Sequence, residues 1–157
     1  MTSRRPAALL LIALACAGCA RRQPPLAMYI PHTRVITITT VPLLVKEQQG
    51  VLPFLKQDFA RGGVLDGKEV YAFVPNTITV VEGDTLQLTF VNPEDDEHAF
   101  VLHDLFVKLP GQAVTHVTYV ARAAGIYDFS CGIPSHVPMM RGQLVVLRPE
   151  AVTPAGP

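Results

Sequence analysis

Between Glu69 and Leu147 the chain is punctuated so often that no long helix fits, because apolar and β-branched segments alternate with turn signals. Glu69 to Val74, Thr77 to Val81 and Thr85 to Asn92 are parted by Pro75-Asn76 and by Glu82-Gly83-Asp84. In the third segment Leu86, Leu88 and Phe90 alternate with Gln87 and Thr89, the two-residue period of a strand with one buried and one wet face. His98 to Leu102 follows, then a loop through Pro110-Gly111, then Val114 to Val120, Ile126 to Ser130 after the Ala124-Gly125 turn, and Gly142 to Leu147. Short strands at this spacing predict an all-β sandwich. The 49% hydrophobic content of 157 residues is enough for one domain with its own core. No internal repeat is visible.

Upstream the pattern changes. Arg4 and Arg5 form a positive start, Ala7 to Ala15 an apolar stretch too short to span a bilayer comfortably, and Cys16-Ala-Gly-Cys19 a small-residue exit. Residues 1–18 therefore read as a signal peptide. Ala17, Gly18 and Cys19 resemble the end of a bacterial lipobox, which implies a lipid on Cys19, whereas Cys16 stands where that box usually has Leu; the other reading is an ordinary secretory signal. Both put the mature chain outside the cytoplasm. Residues 19–33 read as a tether, and 34–148 as the folded domain, with a strand at Arg34 to Val41. From Pro42 to Gly63 a helical insertion is expected, with Pro53 in its first turn and Leu55 paired with Phe59. Residues 34–67 thus form an N-terminal extension to a core at 68–148, and 149–157 a tail.

The chemistry concentrates in Ser130 to Gly142, SCGIPSHVPMMRG, where one cysteine, one histidine and two methionines share a short loop. Thiolate, imidazole and thioether donors select copper over magnesium, calcium or manganese, and two His with one Cys and a long axial Met make a blue-copper electron-transfer site. Cys131, His136 and Met140 supply three of those four donors, and His98, opening the segment HAFVL, is the candidate fourth. With Cys19 lipidated, Cys131 is the lone thiol in an oxidising compartment, and ligation to a metal accounts for its presence.

At this point the chain resembles the cupredoxins, the small blue-copper fold, over roughly Lys68 to Leu147. The resemblance rests on His-x-Phe at His98 to Phe100, Gly-x-Tyr-x-Phe-x-Cys at Gly125 to Cys131, and Cys-x4-His-x3-Met-x-Gly at Cys131 to Gly142. It implies a Greek-key β-sandwich holding one type 1 copper ion on His98, Cys131, His136 and Met140. Met139 is the competing axial donor, but the spacing and the following Arg141-Gly142 favour Met140. The family often has a side-chain donor after the first His. Here that residue is Ala99, which leaves hydrogen bonds to the Cys131 sulfur to backbone amides, with Asn92 as an alternative.

The remaining histidines read as bystanders. His103 falls on the opposite strand parity to His98, His116 alternates with Val117 and Tyr119 and should point outward, and His32 lies in the tether. The run Glu94, Asp95, Asp96, Glu97 reads as a solvated loop, with a docking patch for a basic partner as the second reading. Val137, Pro138 and Met139 would form an apolar rim around His136.

The function expected is single-electron transfer between redox partners, a cytochrome or a copper enzyme, on the periplasmic side of a bacterial envelope; copper binding or delivery without redox cycling is the alternative. Enzymatic roles find no support. Copper enzymes of this fold wire the metal to a second centre through histidines flanking the Cys, and here the neighbours are Ser130 and Gly132. A dinuclear copper site would need a second Cys in the loop, and no nucleophile motif is present. With 13 basic and 13 acidic residues and no basic run, nucleic acid is not an expected partner.

Overall fold

The computed structural model describes residues 28–136 and 139–149. The signal peptide, Cys19, most of the tether, Val137, Pro138 and residues 150–157 lie outside the described residues. No helix among the described residues is long and apolar enough to cross a membrane.

Among the described residues nine strands build two facing sheets: β1 Thr33–Leu44, β2 Val70–Val74, β3 Thr77–Val81, β4 Thr85–Asn92, β5 His98–Leu102, β6 Leu105–Leu109, β7 Ala113–Val120, β8 Gly125–Cys131 and β9 Arg141–Leu147. One sheet runs β2-β1-β4-β7, the other β3-β9-β8-β5-β6. Non-consecutive strands lie side by side, β1 parallel to β4 and β3 parallel to β9, so the connections cross between sheets as the Greek-key expectation requires.

Alternation does the folding. Leu86, Leu88 and Phe90 of β4 all face inward and are at most 2% exposed. On the other sheet Phe100 and Phe129 do the same, and Phe100 packs at 4.8 Å between ring centroids against Phe90 and 4.9 Å against Phe129. Phe73 of β2 closes the cluster from the first sheet, 5.6 Å from Phe100. This aromatic bridge between the sheets is the centre of the core, and each such pair contributes about 0.5–1.5 kcal/mol beyond its buried area.

Two elements differ from the sequence-based expectation. The stretch expected to be loop after Leu102 contains β6, which pairs with β5 from Leu102↔Leu105 to His98↔Leu109. The turn between them is only His103-Asp104, and His103 takes φ 51; with Asp104 as its one turn-forming residue and His rather than Gly or Asn in the left-handed position, the turn is weakly marked in the sequence. The N-terminal strand is also longer, continuing through Pro42 to Leu44, because Thr39 to Leu44 pair with β2 and a register shift absorbs the region around Pro42.

The insertion is helical, in two short pieces: a 3-10 turn at Lys46–Gly50 and one α-helical turn, α1, at Leu55–Asp58. Leu55 is fully buried and anchors it. Since Leu44 pairs with Val70, the insertion leaves and rejoins the sandwich at one end, the end where β5 begins and β8 finishes.

The opposite end holds the entering chain. The Asp84 carboxylate, fully buried in the β3–β4 turn, accepts hydrogen bonds from the Tyr29 hydroxyl, the amides of His32 and Val81, and Arg34 Nε at 2.9 Å. Burial alone would raise its pKa, but these donors outweigh burial and hold the carboxyl well below the usual range. The last residues of the expected tether are thus tied to the domain from Tyr29 onward.

Candidate metal centre

Strand parity delivers the first two donors. Phe100 of β5 stands directly opposite Cys131 of β8. His98 lies two residues before Phe100 on the same inward face, so its imidazole and the Cys131 thiol enter the same end of the core. Both are at most 1% exposed.

The third donor comes from the loop after β8, which is closed on itself by backbone bonds. His136 N–H donates to Ile133 O at 3.0 Å, Met140 N–H to His136 O at 3.0 Å, and Cys131 N–H to Met140 O at 2.9 Å. Pro134 adds a fixed φ within this span. At the loop's far side Gly142 has no substitute. A Cβ there would lie 2.2 Å from Asn76 O and 2.4 Å from the Phe129 ring, so only glycine lets β9 start close enough to close the loop.

The result is a tight triangle. Nδ1 of His98 and Nδ1 of His136 are 3.1 Å apart, and the Cys131 sulfur lies 4.0 Å from the first and 3.7 Å from the second. Atoms so separated share a point roughly 2 Å from each, the length of a metal–imidazole bond and a little under that of a metal–thiolate bond. All three residues are buried, and among the described residues this is the one group of three or more His, Cys, Asp or Glu donors close enough to hold a metal ion. Two imidazoles and a thiolate fit copper by donor softness.

Electrostatics leaves the imidazoles ready for a cation. Desolvation, then repulsion from His136, pushes the His98 pKa down to about 4, while Asp96 acts in the opposite direction. Desolvation lowers His136 as well, opposed by Asp96 and Glu69. Both rings are therefore neutral at pH 7, the form that ligates. The sulfur accepts a hydrogen bond from the Ile133 amide at 3.4 Å. Asn92 does not take that role: its amide holds the carbonyls of Asp96, Leu109 and Pro110 and accepts from Thr40, fixing the acidic loop that leads into His98.

The two methionines separate by burial. Met140 is fully buried in the same core cluster as Cys131, and Met139 is 60% exposed. Bystander histidines fall where expected: His116 is exposed and bonded to Thr89 Oγ1, and His103 is exposed, pairing with Asp104 and standing edge-on to the Tyr127 ring. Of the expected apolar rim only Met139 is described. In the acidic run, Asp95, Asp96 and Glu97 are exposed.

One neighbour had no signal in the sequence reading. Tyr71 of β2, 2% exposed, packs its ring 4.6 Å from that of His98 and 4.7 Å from that of His136. Which residues it meets is set by how the two sheets face each other.

Comparison with known proteins agrees with this architecture. Auracyanin-A of Chloroflexus aurantiacus is 47% identical over 36 residues, which span 23% of this chain and 22% of that protein. The structure of auracyanin A from the same organism, described as a "blue" copper protein, aligns over 73% of this chain and 99% of its own at 21% identity, with a TM-score of 0.49. A copper nitrite reductase from Nitrosomonas europaea aligns over 74% of this chain and 42% of its own at 20% identity and a TM-score of 0.53, a likeness of fold. The family model of the cupredoxin-like domain matches residues 65–146, more than half of the chain and the whole of the span that supplies the three buried donors, and the chain belongs to that family.

Proposed function

We propose that this protein is a type 1 copper protein that carries single electrons between redox partners on the periplasmic side of a bacterial membrane, tethered by a lipid on Cys19. His98, Cys131 and His136 would hold the ion, with the Met140 thioether as a fourth donor. The observation that carries the reading is the convergence of three buried donor atoms from two strands and a loop within 4.8 Å of one another. Copper held there supplies a one-electron couple between Cu(I) and Cu(II).

The chain's part is to hold and shield. Two donors sit on paired strands of a packed sandwich and the third on a loop closed by three backbone bonds, so little rearranges when charge changes. Burial excludes water, and the 6% exposure of His136, beside the exposed Met139, makes that imidazole the natural route to a partner. The local likeness to an auracyanin supports the carrier reading over an enzymatic one.

The polarity of the domain supports the tether. β1 enters beside β4 with Thr33↔Thr85 in register, and Thr85 is at the end of β4 away from Asn92, which holds the loop leading into His98. A chain anchored through its N-terminus therefore presents the metal end away from its point of attachment.

The test is a visible and EPR spectrum of the copper-loaded protein beside its Cys131→Ser variant. A thiolate-to-copper band is expected in the first and none in the second. Two colourless samples after copper addition and oxidation would end the type 1 reading.

A further inference from the structure

Histidines that bind metals usually have their second ring nitrogen fixed by a hydrogen bond to a carboxylate, a carbonyl or water, which sets the ring's orientation. His98 lacks this: its Nε2 is buried with no hydrogen-bond partner among the described residues. Something else must keep the ring from turning, and packing is what remains. The ring against it is that of Tyr71, edge-on at 4.6 Å and 69°.

Tyr71 meets the other imidazole as well. Its centroid lies 4.7 Å from that of His136, and the two histidine rings are 4.9 Å apart, so the three form a nearly equilateral cluster. The tyrosine is itself held at its far end. Its hydroxyl donates to Asp96 Oδ2 at 2.5 Å and lies 3.2 Å from Glu69 Oε2, while Glu69 Oε1 accepts from the Lys46 amide. Asp96 belongs to the loop that Asn92 pins, and Lys46 opens the insertion.

We infer that Tyr71 is a positioning residue of the metal centre, bracing the imidazoles of His98 and His136 through its ring while Asp96 and Glu69 hold its hydroxyl. The inference rests on the copper reading for its consequence, but the bracing exists in the metal-free protein. It assigns a role to the opposite sheet, since β2 belongs to the sheet that supplies no donor.

The experiment compares Tyr71→Leu, Tyr71→Phe and, as a control on the same strand, Phe73→Leu, whose side chain packs on Phe100 and Phe129. Imidazole resonances of His98 and His136 are read by NMR without metal, and Cu(II) affinity and EPR hyperfine splitting with it. Tyr71→Leu should broaden or split both histidine signals and weaken Cu(II) binding by about tenfold or more, the range seen when an orienting partner is lost. Tyr71→Phe keeps the ring and should stay near the parent in both readouts, and Phe73→Leu should leave the histidine signals unchanged.

Parent-like histidine signals and hyperfine splitting in Tyr71→Leu would overturn the inference, as would an equal disturbance in Phe73→Leu. If Tyr71→Leu does not fold, Tyr71→Phe decides: a tenfold loss there would put the effect in the hydroxyl rather than in ring packing, against the proposal. Failure of the parent to show a thiolate–copper band would refute the electron-carrier reading alone, because the metal-free histidine signals still report the brace.

Discussion

Nδ1 of His98 and Nδ1 of His136 face each other across 3.1 Å, although 38 residues separate them in the chain. Two neutral imidazole nitrogens at that distance are compatible in two ways only: one donates its proton to the other, or both point lone pairs at a common cation. Without metal the first arrangement accounts for the contact, and His98 and His136 would offer both lone pairs to an ion held there. His98→Ala should therefore weaken Cu(II) binding by more than about 100-fold, beyond the 10–100-fold that loss of an outer partner produces. Competition titration against a chelator of known affinity checks this. A change of less than tenfold would contradict the assigned geometry.

The buried imidazoles should also make the metal-free protein acid-sensitive. Desolvation takes His98 down to about 4, whereas in the unfolded chain a histidine titrates near 6.5. Between those values the unfolded chain binds a proton that the folded chain does not, so stability falls as pH drops through that window, by up to about 1.4 kcal/mol per pH unit, and levels off below it. His136 shifts in the same direction and adds to the slope. Urea unfolding of the metal-free protein at several pH values measures this, and His98→Asn should flatten the curve. An unchanged slope in that variant would contradict the assignment.

Met140 and Met139 are neighbours in sequence and opposites in burial, one wholly buried and the other 60% exposed. Replacing Met140 by Leu keeps volume and removes the thioether, so the fold should lose less than about 1.5 kcal/mol. The visible spectrum and the reduction potential should nevertheless change, with the potential rising as a donor to Cu(II) is withdrawn. Met139→Leu should leave both as they are. The reverse pattern in voltammetry would make Met139 the axial donor.

Asp84 gathers a polar knot at the end of the sandwich opposite the three buried donors. Its carboxylate accepts from two side chains beyond the β3–β4 turn and from two amides, with no exposure of its own. Asp84→Ala leaves those donors without their acceptor and should cost about 2–4 kcal/mol, read as a lowered thermal midpoint. Because the knot is at the opposite end from the donors, the copper spectrum should not move. A spectral change equal to that of a ligand variant would show that the two ends are coupled.

The strand cadence, the donor types and their spacing were all legible in the sequence, because each is local. Alternation such as Leu86, Leu88, Phe90 needs only the two-residue period of a strand, and Cys131, His136 and Met140 lie within one loop. What escaped was non-local or weakly marked: β6, because the His103-Asp104 turn contains no Gly, Pro or Asn, and Tyr71, because its neighbours come from another sheet and a loop.

Sequence alone thus determined the metal's donor chemistry and the class of fold, since both depend on which side chains are present and on their spacing along the chain. Tertiary structure alone decided that Phe100 lies opposite Cys131, that this pairing carries His98 to the thiol, and that Tyr71 closes over both imidazoles. The reason is physical: strand register and the facing of two sheets follow from packing the whole core, and no short stretch of residues contains that information.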